Sequence, residues 1–162
     1  MRRAFSLLES LAAVALTGAI ALFSMTYINT KYVSQESIKL ELQAHINLIT
    51  ATILQCKEYS QIMPVQSDGS LASDTLLDSL ECNTTTPYPL DGGKGSFIPS
   101  ALSQFTPYKA TQNGDEFYFS TSTKVDSYQY EALQELNSTY STQQYELDVN
   151  STDASLKFYL SR

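Results

Sequence analysis

From Ser10 to Thr30 the chain carries no charged residue, and beyond Lys31 apolar and polar positions alternate with a helical period. The uncharged stretch is about 21 residues of mainly Leu, Ala, Ile, Val, Met and Phe with no proline, roughly what a helix needs to cross the hydrocarbon core of a bilayer. After it, Ile38, Leu42, Ile46, Ile49, Ile53 and Cys56 recur at spacings of three and four. That spacing predicts one apolar stripe on an amphipathic helix, with a globular head packed against it. No Gly or Pro falls between Lys31 and Met63, so the pattern predicts a single helix from Phe5 to about Tyr59, roughly 80 Å long at about 1.5 Å per residue.

Met63-Pro64 interrupts the helical pattern, and Gln66-Ser67-Asp68-Gly69 reads as a turn. Ser73 is placed to cap a short helix bearing Leu76, Leu77 and Leu80 that ends near Cys82. Residues 83–107 are rich in Thr, Pro, Gly and Ser and read as a long connection. Within it Gly92-Gly93-Lys94-Gly95 lacks the spacing of a phosphate loop and is explained by turns. Asp115 to Thr123 alternates as a half-buried strand. Tyr128 to Tyr140 fits a short helix bearing Leu133 and Leu136, although Tyr128 to Tyr130 also alternates like a strand. Gln144 to Val149 and Ser155 to Leu160 predict two strands joined by the turn Asn150-Ser151-Thr152-Asp153. The expected head is an antiparallel sheet laid across the amphipathic half-helix.

Charge adds topology. Arg2 and Arg3 flank the N-terminal end of the uncharged run, while Lys31 and Glu36 offset each other beyond it. The excess of positive charge on the N-terminal side predicts a cytoplasmic N-terminus and an outward head. A cleaved secretory signal is the competing reading, but the run is longer than a usual signal core and no small-residue cleavage site closes it. Net charge is −7, and removal of Arg2 and Arg3 would leave −9. So acidic a head is a poor binder of phosphate backbones, and no nucleic acid is expected.

Glu9, at the edge of the apolar run, is the residue this pattern does not explain. It either snorkels at the headgroup boundary or meets a cation on a neighbouring copy of the chain. Met1-Arg2-Arg3-Ala4 followed by Phe5-Ser6-Leu7-Leu8-Glu9 resembles the processing site of type IV pilins and of type II secretion pseudopilins. In that family a prepilin peptidase cuts before the Phe and methylates the new amine. The resemblance implies cleavage between Ala4 and Phe5, with Glu9 fifth in the mature chain and facing the Phe5 amine of a neighbouring subunit during assembly. Gly18 falls where pilins often carry a helix-loosening glycine. Two features differ from the usual pattern: Ala4 replaces Gly before the cut, and no proline lies midway along the apolar segment. Both point to a minor subunit.

The resemblance implies an α+β fold, with a long N-terminal helix, half transmembrane and half amphipathic, packed on a small antiparallel head. The corresponding division is leader 1–4, transmembrane and assembly helix 5–30, amphipathic half-helix 31–59 and periplasmic or extracellular head 60–162. The expected location is the bacterial inner membrane and then a pilus or pseudopilus. The expected partners are sister pilin or pseudopilin subunits and the prepilin peptidase.

The chain has two cysteines, Cys56 and Cys82, and a single histidine, His45. In an oxidising compartment the cysteines would close a loop of about 27 residues, worth about 3 to 4 kcal/mol by chain-entropy reasoning. The alternative is two unrelated buried thiols. They do not make a metal site with His45, which reads as a locally bonded packing residue, and no metal or cofactor is expected.

Three of the six asparagines head an Asn-x-Ser/Thr triplet: Asn83, Asn137 and Asn150. Each is preceded two residues earlier by an acid: Glu81, Glu135 and Asp148. This resembles the extended acceptor motif of bacterial oligosaccharyltransferases, which would add such an enzyme to the partners. The competing explanation is that Asn, Ser, Thr and Asp gather in turns.

No HExxH, GxSxG, Walker loop or CxxC occurs, and no enzyme is expected. The chain is expected to be a structural subunit, with a non-assembling, single-pass membrane-anchored binding or adhesion protein as the alternative.

Overall fold

The computed structural model describes residues 34–93, 97–141 and 143–161. The leader, the uncharged run, Phe5 and Glu9 lie outside the described residues.

Residues 34–60 form helix α1. Leu42, Ile46, Ile49, Ile53 and Cys56 are buried on one side of it, and Ile38 is half-buried against the same core. The helix stops where Gln61 turns into the left-handed region (φ 64°) and donates its N–H to the Lys57 carbonyl at 2.8 Å. Met63, Pro64 and Val65 then plunge into the core. The turn at Gln66 to Gly69 forms as the sequence predicts, closed by the Gly69 N–H on the Gln66 carbonyl.

The head is α+β. Strands β1 (Thr75–Leu76), β4 (Lys109–Asn113), β5 (Glu116–Lys124), β6 (Tyr145–Val149) and β7 (Asp153–Ser161) form an antiparallel sheet in the order β1-β4-β5-β7-β6. Strands β2 (Glu81–Cys82) and β3 (Tyr88–Pro89) make a separate antiparallel pair. Along β5 the alternation is complete, with Phe117, Phe119, Thr121 and Thr123 all buried. Phe117 is fully enclosed, and burying such a ring contributes about 1.5 to 3 kcal/mol. The α1 stripe, Phe117, Phe119, Tyr145 and Leu156 share one core with Leu133 and Leu136 of helix α2 (Tyr128–Thr139). α2 is capped by Ser127, whose hydroxyl accepts the Tyr130 N–H.

Two elements differ from the sequence expectation. The helix expected after Ser73 is instead β1, a single 3-10 turn (Leu77–Ser79) and β2. The backbone there is committed elsewhere: Thr75 and Leu76 pair with β4, the Leu77 N–H goes to the Tyr108 carbonyl, and Glu81 exchanges two bonds with Val65. Strand β4 was not expected at all, because Ala110 is its only buried residue. Gly114 (φ 62°) makes its tight turn into β5. At Gly93, a Cβ would stand 2.4 Å from the Pro89 carbonyl oxygen, so that loop accepts only glycine.

Candidate functional site

Two features of the described helix carry functional weight. The first is its outer face. Opposite the buried stripe, Leu40, Ala44, Leu48, Ala51 and Leu54 recur at spacings of four and three and are exposed. The three leucines are 56 %, 38 % and 45 % exposed, and they share this outer face with exposed Asn47 and Glu58. Sequence reasoning tracked only the core-facing stripe and missed this one, although the same 3.6-residue period, applied to the remaining leucines, reveals it.

The second is the anchoring of the head to the helix. Cys56 and Cys82 form a disulfide with a Cα–Cα distance of 5.5 Å, fastening β2 to the last turns of α1. Further up, His45 Nδ1 lies 2.8 Å from the Tyr108 hydroxyl, Gln43 Nε2 donates to the Tyr140 hydroxyl at 2.9 Å, and Lys39 Nζ reaches Glu135 at 3.4 Å. The bonding of His45 is thus long-range, not local. Burial holds its pKa below the ordinary value, while Glu41 opposes that shift. Burial pushes the Tyr108 hydroxyl up, which keeps its proton in place.

At the other sheet edge, Lys157 lies between Glu146 (3.1 Å) and Asp148 (2.5 Å), with its Nζ 5.8 Å from the centre of the Tyr118 ring. Its pKa is raised, chiefly by the bond to Asp148. Glu146 is held below the usual carboxylate range, first by Lys157 and then by the Tyr159 hydroxyl. These are exposed or half-exposed pairs of a solvated sheet face.

The three acceptor-type asparagines fall in different surroundings. Asn83 is exposed in the loop after β2, Asn150 is exposed in the β6–β7 hairpin, and Asn137 is half-buried within α2. Asp91, Asp115 and Asp153 are dispersed: Asp91 accepts the Ile98 N–H, Asp115 sits in the β4–β5 turn, and Asp153 pairs with Lys124. Among the described residues no group of three or more His, Cys, Asp or Glu could hold a metal ion. Among the described residues, too, no helix is long and apolar enough to cross a membrane, and Ala4, Phe5 and Glu9 lie outside the described residues. Comparison of the chain with protein-family models, with curated proteins and with solved structures returns no match in any of the three.

Proposed function

We propose that this chain is a structural subunit, a minor pilin or pseudopilin, that is anchored in the inner membrane and assembles into a filament through its N-terminal helix. The observation that carries the reading is the order of residues at the N-terminus: Arg2-Arg3-Ala4, then Phe5, then Glu9, then an uncharged run through Thr30. Cleavage before Phe5 frees an amine, and pairing of that amine with Glu9 of a neighbouring subunit offsets the cost of a carboxylate in apolar surroundings. Support from the folded part is architectural. The head occupies one side of α1, and Leu40, Leu48 and Leu54 stay exposed on the other, where they are available for packing on sister helices.

In this reading lipid contacts of the uncharged run are exchanged for contacts with neighbouring subunits as each copy leaves the bilayer, and small residues such as Ala12, Gly18 and Ala19 permit close helix approach. The test is incorporation. Glu9→Ala and Glu9→Val leave the chain folded and inserted but keep it out of the filament, read by shearing or by cross-linking to sister subunits. N-terminal sequencing of the native protein should begin at a methylated Phe5. Retention of Met1 in cells with an active prepilin peptidase would favour the second reading, an anchored binding or adhesion protein that does not assemble.

A further inference from the structure

We propose that Asn150 is an acceptor for an N-linked glycan delivered from a lipid-diphosphate-linked oligosaccharide, and that the fold closes Asn137 to the same reaction although both carry the full acid-x-Asn-x-Ser/Thr sequence. The sequence treats the two sites alike, and the fold separates them. Asn150 and the two residues after it, Ser151 and Thr152, are exposed at the tip of the β6–β7 hairpin. The Asn150 Oδ1 accepts the Thr152 N–H at 2.9 Å and the Asp153 N–H at 2.7 Å, and the Thr152 hydroxyl, which donates to the Asp153 carboxylate at 2.7 Å, stands 3.2 Å from the same oxygen. Both N–H bonds use the oxygen, and neither engages Nδ2, the atom that takes the sugar. The triplet's hydroxyl thus lies on the same side as the acceptor amide, at the exposed tip, with its proton on the Asp153 carboxylate. The loop is held in this form from outside as well, because the Thr152 carbonyl accepts the Val125 N–H at 3.1 Å.

Asn137 presents the opposite case. It lies in the last full turn of α2, where residues two apart project to different sides. The Thr139 hydroxyl donates to the Glu135 carbonyl at 2.8 Å, and the Ser138 hydroxyl donates to the same carbonyl at 2.7 Å. The triplet's hydroxyl is therefore turned into the helix, away from the Asn137 amide, and Asn137 itself is half-buried. Reaching an extended transferase groove would require unwinding the end of α2 and breaking its contacts. Asn83 is exposed in its loop, where the Thr84 hydroxyl donates to the Thr86 carbonyl at 2.7 Å.

The chemistry is a glycosyl transfer. The Asn150 Nδ2 forms a bond to the anomeric carbon of the first sugar as the bond from that carbon to the diphosphate oxygen breaks. The lipid diphosphate departs with the electron pair, and one amide proton passes to a base on the transferase. Nothing is oxidised or reduced. The reaction needs an outward-facing head but no assembly, so it stands or falls separately from the filament reading.

The experiment incubates the detergent-solubilised full-length chain with a purified bacterial oligosaccharyltransferase that requires the acidic residue, and with its lipid-diphosphate oligosaccharide donor. Peptide mass mapping reads occupancy at each site, and synthetic peptides centred on Asn137 and on Asn150 serve as unfolded references. Both peptides should be glycosylated, while in the folded chain occupancy at Asn150 should exceed that at Asn137 by about tenfold or more, the cost of local opening of α2. Asn150→Gln and Thr152→Val should each abolish the glycan at this site without changing the circular dichroism of the head. An unmodified Asn150 in the folded chain, or equal occupancy at Asn137, would overturn the assignment.

Discussion

The imidazole of His45 and the hydroxyl of Tyr108 meet at 2.8 Å across 63 residues of sequence, tying the middle of α1 to the residue that precedes β4. In either neutral tautomer one of the two groups donates and the other accepts, and burial disfavours the charged ring. The folded pKa of His45 lies below its ordinary value of 6.5, so the unfolded chain takes up the proton first. The contribution is whole above 6.5 and declines as pH falls below it, until the folded ring protonates too. Thermal unfolding followed from about pH 7 down to about pH 5 should show a falling Tm, and His45→Gln should flatten that slope. An unchanged slope would mean that other groups set it.

A lower window belongs to Glu146. Its folded pKa lies below the ordinary 4.5, so its contribution is present above 4.5 and is lost as pH falls through the folded value. Acid unfolding followed by ellipticity should therefore be shallower in Glu146→Gln below pH 4.5, while the slope near 6.5 stays as it is.

The disulfide joins positions separated by 26 residues, so reduction should lower the unfolding free energy by about 3 to 4 kcal/mol. Urea titration with and without reductant measures this directly. The paired replacement Cys56→Ala, Cys82→Ala should match the reduced protein, apart from the small volume lost at two fully enclosed positions.

On the proposed assembly reading, adjacent residues of α1 serve folding and packing on sister subunits separately. Ile49 is fully buried, and Ile49→Ala should cost about 2 to 5 kcal/mol in urea titration. Leu48 faces outward, and Leu48→Ala should change head stability by no more than about 0.5 kcal/mol. The triple change Leu40→Ser, Leu48→Ser, Leu54→Ser should leave the head folded and lower incorporation into filaments. Wild-type incorporation of the triple variant would remove the outer face from the assembly surface.

Elements with a strong period were legible from the residues alone. The buried stripe from Leu42 to Cys56 and the alternation from Phe117 to Thr123 each encode their own structure, because a single core-facing side repeats at the period of its element. The β6–β7 hairpin was legible for a similar reason: alternating flanks surround the turn at Asn150. Strand β4 was not, since Lys109, Thr111, Gln112 and Asn113 have nothing apolar to repeat, and its edge is defined by pairing with β5.

Among the candidate sites, the sequence named the cysteines, the three asparagines and the N-terminal motif by local pattern alone. It also determined that apolar residues line α1, because helical spacing requires no partner to be read. Only the tertiary structure decided that the second set, Leu40, Leu48 and Leu54, stays exposed. It also decided that His45 bonds to Tyr108, and that the Thr152 hydroxyl lies beside Asn150 while the Thr139 hydroxyl turns back to Glu135. The physical reason is range: periodicity and turn chemistry act over a few neighbouring residues, whereas burial, exposure and side-chain pairing are set by segments that the chain brings together from far apart.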